Sequence, residues 1–280
     1  MELYSVDAGN FKLDGGAMFG VVPKTLWNKK MPADELNLCS WKMRCLLIQD
    51  GKRLILVDTG MGDKQPAKWQ SYYYRHGDGD LIQSIRKLGF HENQITDVIL
   101  SHLHFDHAGG AVSWNSTKDG YRPTFVNATY WTHSEHWQWA MEPNPREAAT
   151  FLKENLLPLQ EAGQLHFIDK DDINFGNQIE FLTADGHTEK MLMPLIHYHE
   201  KKVLFIADTI PSTAHIHTPW VMAYDVNPLQ TMVEKEELLT KAVVHDWILY
   251  FDHDPAVEAC TIQKTDKGFS VKSAGNLLDF

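Results

Sequence analysis

One stretch constrains this chain more than any other: ILSHLHFDHAGG, Ile99 to Gly110. A run that reads as a buried strand, ITDVILS, delivers three histidines and an aspartate within six residues, and two glycines follow. His102 and His104 are two residues apart, so on an extended segment both imidazoles point to one face. Asp106 and His107 come within the next turn. Crowded together without a cation, such groups cost about 1–3 kcal/mol for each one left unsatisfied. A divalent metal removes that cost, because neutral imidazole and carboxylate are its ligands. Zinc takes about four of them, so neither half of the cluster completes a shell and distant ligands are required. Gly109 and Gly110 are expected to let the backbone start a helix tightly beside the site, without Cβ atoms crowding it.

Candidates for the distant ligands stand at other strand ends: His187 after LTADG, Asp208 after LFIA and His253 after LYFD. Rigid strands hold such residues and the loops that follow expose them at one sheet edge. The pattern predicts a hairpin over MRCLLIQDGKRLILVDTG through Asp50-Gly51, and a helix over DGDLIQSIRKLGF from Asp80 to Gly89. RPTFVNATYWTH reads as a strand, HSEHWQWAM and PREAATFLKENLLPLQEAG as helices, and GNQIEFLTADG as a strand. MLMPLIHYHEKKVLFIAD is a second hairpin, VEKEELLTKAVVHDW a helix and ILYFDHD a strand. No linker, repeat or low-complexity tract interrupts the chain, so residues 1–280 are read as one α/β domain.

Composition narrows the function. Hydrophobic residues make up 43% of the 280, enough for a sizeable core. Lys+Arg 26 against Asp+Glu 37 gives a net charge of -11, which disfavours nucleic acid and anionic membranes. Three cysteines without a Cys-x-x-Cys pair argue against a disulfide framework. The start MELYSVDAGNFKLDGG lacks a secretory pattern, and no apolar run is long enough to span a bilayer. A cytoplasmic protein is expected.

HLHFDH, together with His187 in ADGHTEK, Asp208 in FIADT and His253 in FDHDP, resembles the metallo-β-lactamase superfamily in order and spacing. Within it, SHLHFDHAGG is most similar to the N-acyl-homoserine lactonases. The resemblance implies an αββα sandwich, two mixed sheets face to face with helices outside, and two Zn2+ ions per chain. It puts one ion on His102, His104 and His187, the other on Asp106, His107 and His253, and Asp208 between them as a shared carboxylate. A hydroxide bridging the ions would be the nucleophile, with Asp106 and Asp208 as the catalytic carboxylates. Asp58 in VDTG resembles the family aspartate behind the metal histidines; a strand-end cap is the equal alternative.

The implied reaction is hydrolytic opening of an acyl-lactone ring, as in quorum quenching. Lactonases of this type carry a tyrosine three residues after the shared aspartate, and here that position is Pro211. Ser212, His215, His217 and Tyr224 are candidate replacements, though a solvent-exposed loop is the simpler expectation for His215 and His217. Met18, Phe19, Val21 and Trp27 in GGAMFGVVPKTLWNKK, with Phe105, are candidates for an acyl-chain wall. Trp137, Trp139 and Met141 form a second candidate wall, with core packing the alternative.

Rival readings keep the metals and change the substrate. A glutathione thioester calls for a basic cluster that is not seen near the motif; aryl esters and phosphotriesters stay open. His104 stands where redox-iron relatives have a glutamate. A non-catalytic metal-binding module would be expected to have lost ligands, and all seven positions are filled. The expected partner is a small acyl lactone or related ester, and a homodimer is left open.

Overall fold

The computed structural model describes residues 1–170, 175 and 178–280. These residues form two six-stranded mixed sheets and a two-stranded ribbon, Val112–Trp114 with Tyr121–Pro123. The chain gathers into two compact units: Met1–Gly9, Met43–Asn174 and Lys190–Leu192 in the first, and Asn10–Lys42, Phe175–Glu189 and Met193–Phe280 in the second.

The first sheet runs in the order Glu2–Asp14, Leu38–Asp50, Arg53–Val57, Asp97–Ile99, Thr129–Thr132, Leu165–Phe167. The predicted hairpin turns at Asp50-Gly51, with Asp50 opposite Arg53 and Gly51 in the left-handed region at φ 58°. From Arg53–Val57 onward the pairings are parallel. Parallel strands are covered on both faces. That is why Leu54–Val57 and Val98–Leu100 are apolar at every position and almost wholly buried. Arg53 forks onto both oxygens of Asp97, which also accepts from the Trp131 indole, so this strand pair is pinned by charge as well as by its ladder.

At the end of the third strand the chain turns sharply through Asp58, at φ 59°, and the loop Thr59–Gly62 lies along the metal motif. Thr59 N donates to His107 O and Gly110 N donates to Gly60 O, both at 2.8 Å. The two glycines after the motif exist for this contact. A Cβ on Gly109 would stand 2.1 Å from Met61 O, and one on Gly110 would stand 2.2 Å from Thr59 O. They admit a neighbouring backbone rather than a metal, which corrects the sequence-based reason for them. The buried Lys64 ammonium donates to Gly109 O, and burial pushes its pKa down to about 8.

The second sheet runs Gly268–Gly275, Ala259–Thr265, Ile248–Tyr250, Lys201–Phe205, Met191–Tyr198, Ile179–Ala184. The second predicted hairpin is present and turns at His199-Glu200, with Tyr198 opposite Lys201. Beside it the helix Pro228–Val244 starts with Asn227 Oδ1 accepting from Gln230 N and with Pro228 in its first turn. Its buried residues Thr231, Lys235, Leu238, Leu239 and Ala242 fall at three- and four-residue spacing, one stripe of the helix.

Several predicted elements come out shorter, ITDVILS to Asp97–Ile99 and ILYFDHD to Ile248–Tyr250 among them. Of PREAATFLKENLLPLQEAG only Lys153–Glu161 is helical. Asn144 Oδ1 accepts from the backbone of Arg146 and Glu147 and holds the preceding residues in turns instead. RPTFVNATYWTH divides into Tyr121–Pro123 and Thr129–Thr132. In GNQIEFLTADG the strand is Ile179–Ala184, and residues 176–177 lie outside the described residues.

Gly110→Ala should lower stability by about 1–3 kcal/mol through overpacking against Thr59. Urea unfolding checks it; an unchanged midpoint would contradict the close approach.

Candidate metal centre

An imidazole has two nitrogens, and the group that holds one decides which is left for a metal. In the first unit, His107 Nδ1 lies 2.9 Å from Asp58 Oδ2. A carboxylate only accepts, so Nδ1 carries the proton and Nε2 keeps its lone pair. Asp58 also accepts from Ser101 N through Oδ1 and from Ser101 Oγ through Oδ2, both at 2.7 Å. With its proton given to Asp58, the Ser101 hydroxyl accepts from His102 Nδ1 at 3.1 Å. One buried aspartate therefore sets both histidines to offer Nε2. The sharp turn at Asp58 aims its carboxylate at the motif.

His104 is reversed. Its Nε2 lies 3.2 Å from Glu147 Oε1, so its remaining ligand atom is Nδ1. Between them, Leu103 N donates to Nε2 of the buried His136 at 2.9 Å, fixing the peptide that carries both ligands. The ring centroids of His102 lie 4.6 Å from those of His104 and 3.9 Å from those of His107. The His102 and His104 ligand atoms lie within 4.8 Å of each other. Asp106 Oδ2 stands 3.9 Å from His107 Nε2, the same nitrogen that Asp58 leaves available.

The second unit repeats the logic with different parts. His187 Nδ1 donates to Asp225 Oδ1 at 3.0 Å, and His253 Nδ1 donates to Lys42 O at 2.7 Å. Both histidines then direct Nε2 at the same carboxylate: His187 at Asp208 Oδ2, 3.2 Å away, and His253 at Asp208 Oδ1, 3.1 Å away. Asp252 joins the group, with its ligand atom within 4.8 Å of those of Asp208 and His253; it also accepts from His253 N at 2.9 Å.

The turn that presents His187 is held by the long helix. Glu234 accepts from Asp185 N and Gly186 N, and a Cβ on Gly186 would stand 2.4 Å from Thr231 N. Burial raises the Glu234 pKa. From the same helix Lys235 donates to the carbonyls of His217 and Trp220 and secures the loop that carries Asp225; burial pushes its pKa down to about 7.

The predicted substrate contacts separate into two groups. Met18, Phe19 and Trp27 are buried, with Phe19 stacked on Trp27 at 5.2 Å and on His215 at 4.5 Å. His215 is only 1% exposed, so the expected solvent loop is corrected for it. Its Nε2 donates to Met18 O at 2.9 Å, its Nδ1 accepts from the buried Ser212 hydroxyl at 2.8 Å, and burial holds its pKa near 3, hence neutral. His217 is exposed as expected. Val21 and Tyr224 reach the surface at 93% and 38% exposure.

Phe105 is buried under the half-buried Tyr73 and Trp69, with centroids at 4.5 and 5.0 Å. Burial first, and then the Asp106 charge, push the Tyr73 pKa up to about 12, so its hydroxyl keeps its proton. Trp137 packs in the core, as its alternative reading had it, and Trp139 gives its indole N–H to Glu147. Glu147, His136, Asp225, Asp252 and Lys235 were not legible in the sequence. Glu147, His136, Asp225 and Lys235 lie far along the chain from the residues they hold, as Asp225 does at 38 residues from His187, whereas Asp252 stands beside His253 within FDHDP.

The donor set fits divalent metal: imidazoles with one nitrogen anchored and the other presented, and a carboxylate with each oxygen facing a different imidazole. The metallo-beta-lactamase superfamily model matches residues 44–253, and the chain belongs to that superfamily. It is 30% identical over 126 residues to an N-acyl homoserine lactonase of Bacillus cereus, an alignment spanning 41% of this chain and 46% of that protein. A probable metal-dependent hydrolase from Staphylococcus aureus matches at 27% identity and TM-score 0.87 over 98% of this chain and 95% of its own. AidC, described as a dizinc quorum-quenching lactonase in complex with a product, shares the fold at 20% identity and TM-score 0.80, over 98% and 95% of the two chains.

Asp58→Ala should cost about 1–3 kcal/mol, since it strands buried donors of Ser101 and His107. It should also weaken zinc binding by about 10–100-fold. Unfolding curves and a chelator-competition titration check both; intact zinc affinity would leave Asp58 a strand-end cap only.

Proposed function

We propose that the chain is a single catalytic domain that holds two zinc ions and hydrolyses the ring ester of N-acyl-homoserine lactones. The observation that carries the two-metal reading is Asp208. Its two oxygens face Nε2 atoms of two different histidines, and each of those histidines is anchored from behind. A carboxylate so placed is suited to being shared between two cations. In this reading His102, His104 and His187 hold one ion, and Asp106, His107 and His253 hold the other. The similarity to lactonases in sequence supports the substrate class.

When bound, the ions supply Lewis acidity and a water acidic enough to lose its proton near neutral pH. The chain's own residues do the rest. Asp106, whose Oδ2 stands 3.9 Å from His107 Nε2, would orient the attacking water. It accepts the water's proton and returns it to the ring oxygen as the ester C–O bond breaks. The product is one ring-opened hydroxy acid. Tyr73, whose hydroxyl stays protonated, lies over Phe105 beside the motif and is the hydrogen-bond donor to the substrate in this reading. Trp69, Tyr73 and Phe105 supply an aromatic wall for an acyl chain. A neutral, amphipathic lactone suits a chain with net charge -11 and no helix, among the described residues, long and apolar enough to cross a membrane. A cytoplasmic location belongs to the same reading.

Zinc-loaded protein should open acyl-homoserine lactones in a panel that also holds simple lactones, a glutathione thioester, a β-lactam and an aryl phosphotriester. Asp208→Ala should fall to the background rate and lose zinc. Turnover of the thioester or phosphotriester with every lactone inert would refute the lactonase reading.

A further inference from the structure

His104 differs from the other motif histidines in the nitrogen it has available, and the cause is Glu147. This carboxylate is buried, at 3% exposure, behind the motif. Its Oε1 faces His104 Nε2 at 3.2 Å. Its Oε2 accepts from the Trp139 indole at 2.7 Å and from Asn144 Nδ2 at 2.6 Å. Neither donor can be exchanged for an acceptor. An indole nitrogen only donates. The Asn144 amide cannot flip without loss, because its Oδ1 already accepts from Arg146 N and Glu147 N. Two fixed donors therefore hold Oε2, while Oε1 faces His104 Nε2 and, as a carboxylate oxygen, accepts its proton.

We propose that Glu147 is the positioning residue of the metal site built on His102 and His104: it keeps the His104 proton on Nε2 and thereby presents Nδ1 to the ion. This rests on the reading that His104 is a zinc ligand. It adds which residue fixes the His104 tautomer. His102 and His107 take their orientation from Asp58, so the motif has two separate buried carboxylates behind it, one for each ligand-atom choice.

The geometry makes Glu147→Gln an unusually direct variant. A glutamine has one acceptor atom. Trp139 and Asn144 both need an acceptor, so the amide oxygen turns to them and the amide NH2 turns to His104. Nε2 must then accept, the imidazole proton moves to Nδ1, and the ligand atom is lost with the side-chain size unchanged.

The experiment has two parts. A chelator-competition titration measures both zinc affinities in wild type, Glu147→Gln and His104→Ala. Long-range 15N–1H spectra of histidine-labelled apoprotein, assigned with His104→Ala, read the tautomer. The expected result is Nε2–H at His104 in the apo wild type. In Glu147→Gln one zinc should bind at least 10-fold more weakly, up to about 100-fold, and the other within about 2-fold of wild type. Two wild-type affinities in Glu147→Gln, or Nδ1–H at His104 in the apo wild type, would overturn the role of Glu147. If His104→Ala loses a zinc while Glu147→Gln does not, only the positioning role fails. If His104→Ala keeps both zincs, or wild type binds none, the metal reading fails and takes the proposal with it. The wild-type tautomer spectrum decides the matter even if Glu147→Gln does not fold.

Discussion

The structure around the motif depends on one constraint: a buried imidazole must place its proton somewhere, and the acceptor behind it decides where. Five acceptors do this here. Ser101, Glu147, Asp58, Asp225 and the carbonyl of Lys42 stand behind His102, His104, His107, His187 and His253 in turn. Four of the histidines are left with Nε2 and one with Nδ1. Neutral imidazoles with the second nitrogen presented are what a divalent metal needs, and they are a costly arrangement for a core without one. Much of the local fold serves this constraint. The strained turn at Asp58, the glycines that admit the Thr59–Gly62 backbone, and the helix that grips Gly186 all hold an acceptor or a ligand in register.

The candidate ligands were legible because they share a signal: His and Asp at the ends of apolar strands, four of them in one tight motif. The hairpins at Asp50-Gly51 and His199-Glu200 and the helix from Asp80 were legible too, since turn chemistry and caps are local. The acceptors were not. Asp225 and Glu147 sit in irregular segments, and nothing in their spacing ties them to a histidine far away in the chain. Lys42 acts through its carbonyl, which every residue has. The shortened helix before Lys153 failed for a related reason. Asn144 spends its side chain on backbone N–H groups, and this local competition outweighs good helix formers downstream.

The substrate side divides the same way. Apolar residues near the N-terminus looked like a wall for an acyl chain. Met18, Phe19 and Trp27 are instead interior, joined to His215 by stacking and by its bond to Met18 O. A sequence records that a residue is apolar; it does not record whether the residue faces a ligand or the core. Trp69 and Tyr73 were passed over because they lie in a polar, glycine-bearing segment, yet they cover Phe105 inside the motif itself.

Diffraction from zinc-loaded crystals at the zinc absorption edge tests the central claim most directly. The account predicts two anomalous peaks per chain. One is bound by Nε2 of His102, Nδ1 of His104 and Nε2 of His187, the other by Asp106 and by Nε2 of His107 and His253, with one oxygen of Asp208 on each. A single peak, or a metal bound through Nε2 of His104, would contradict it.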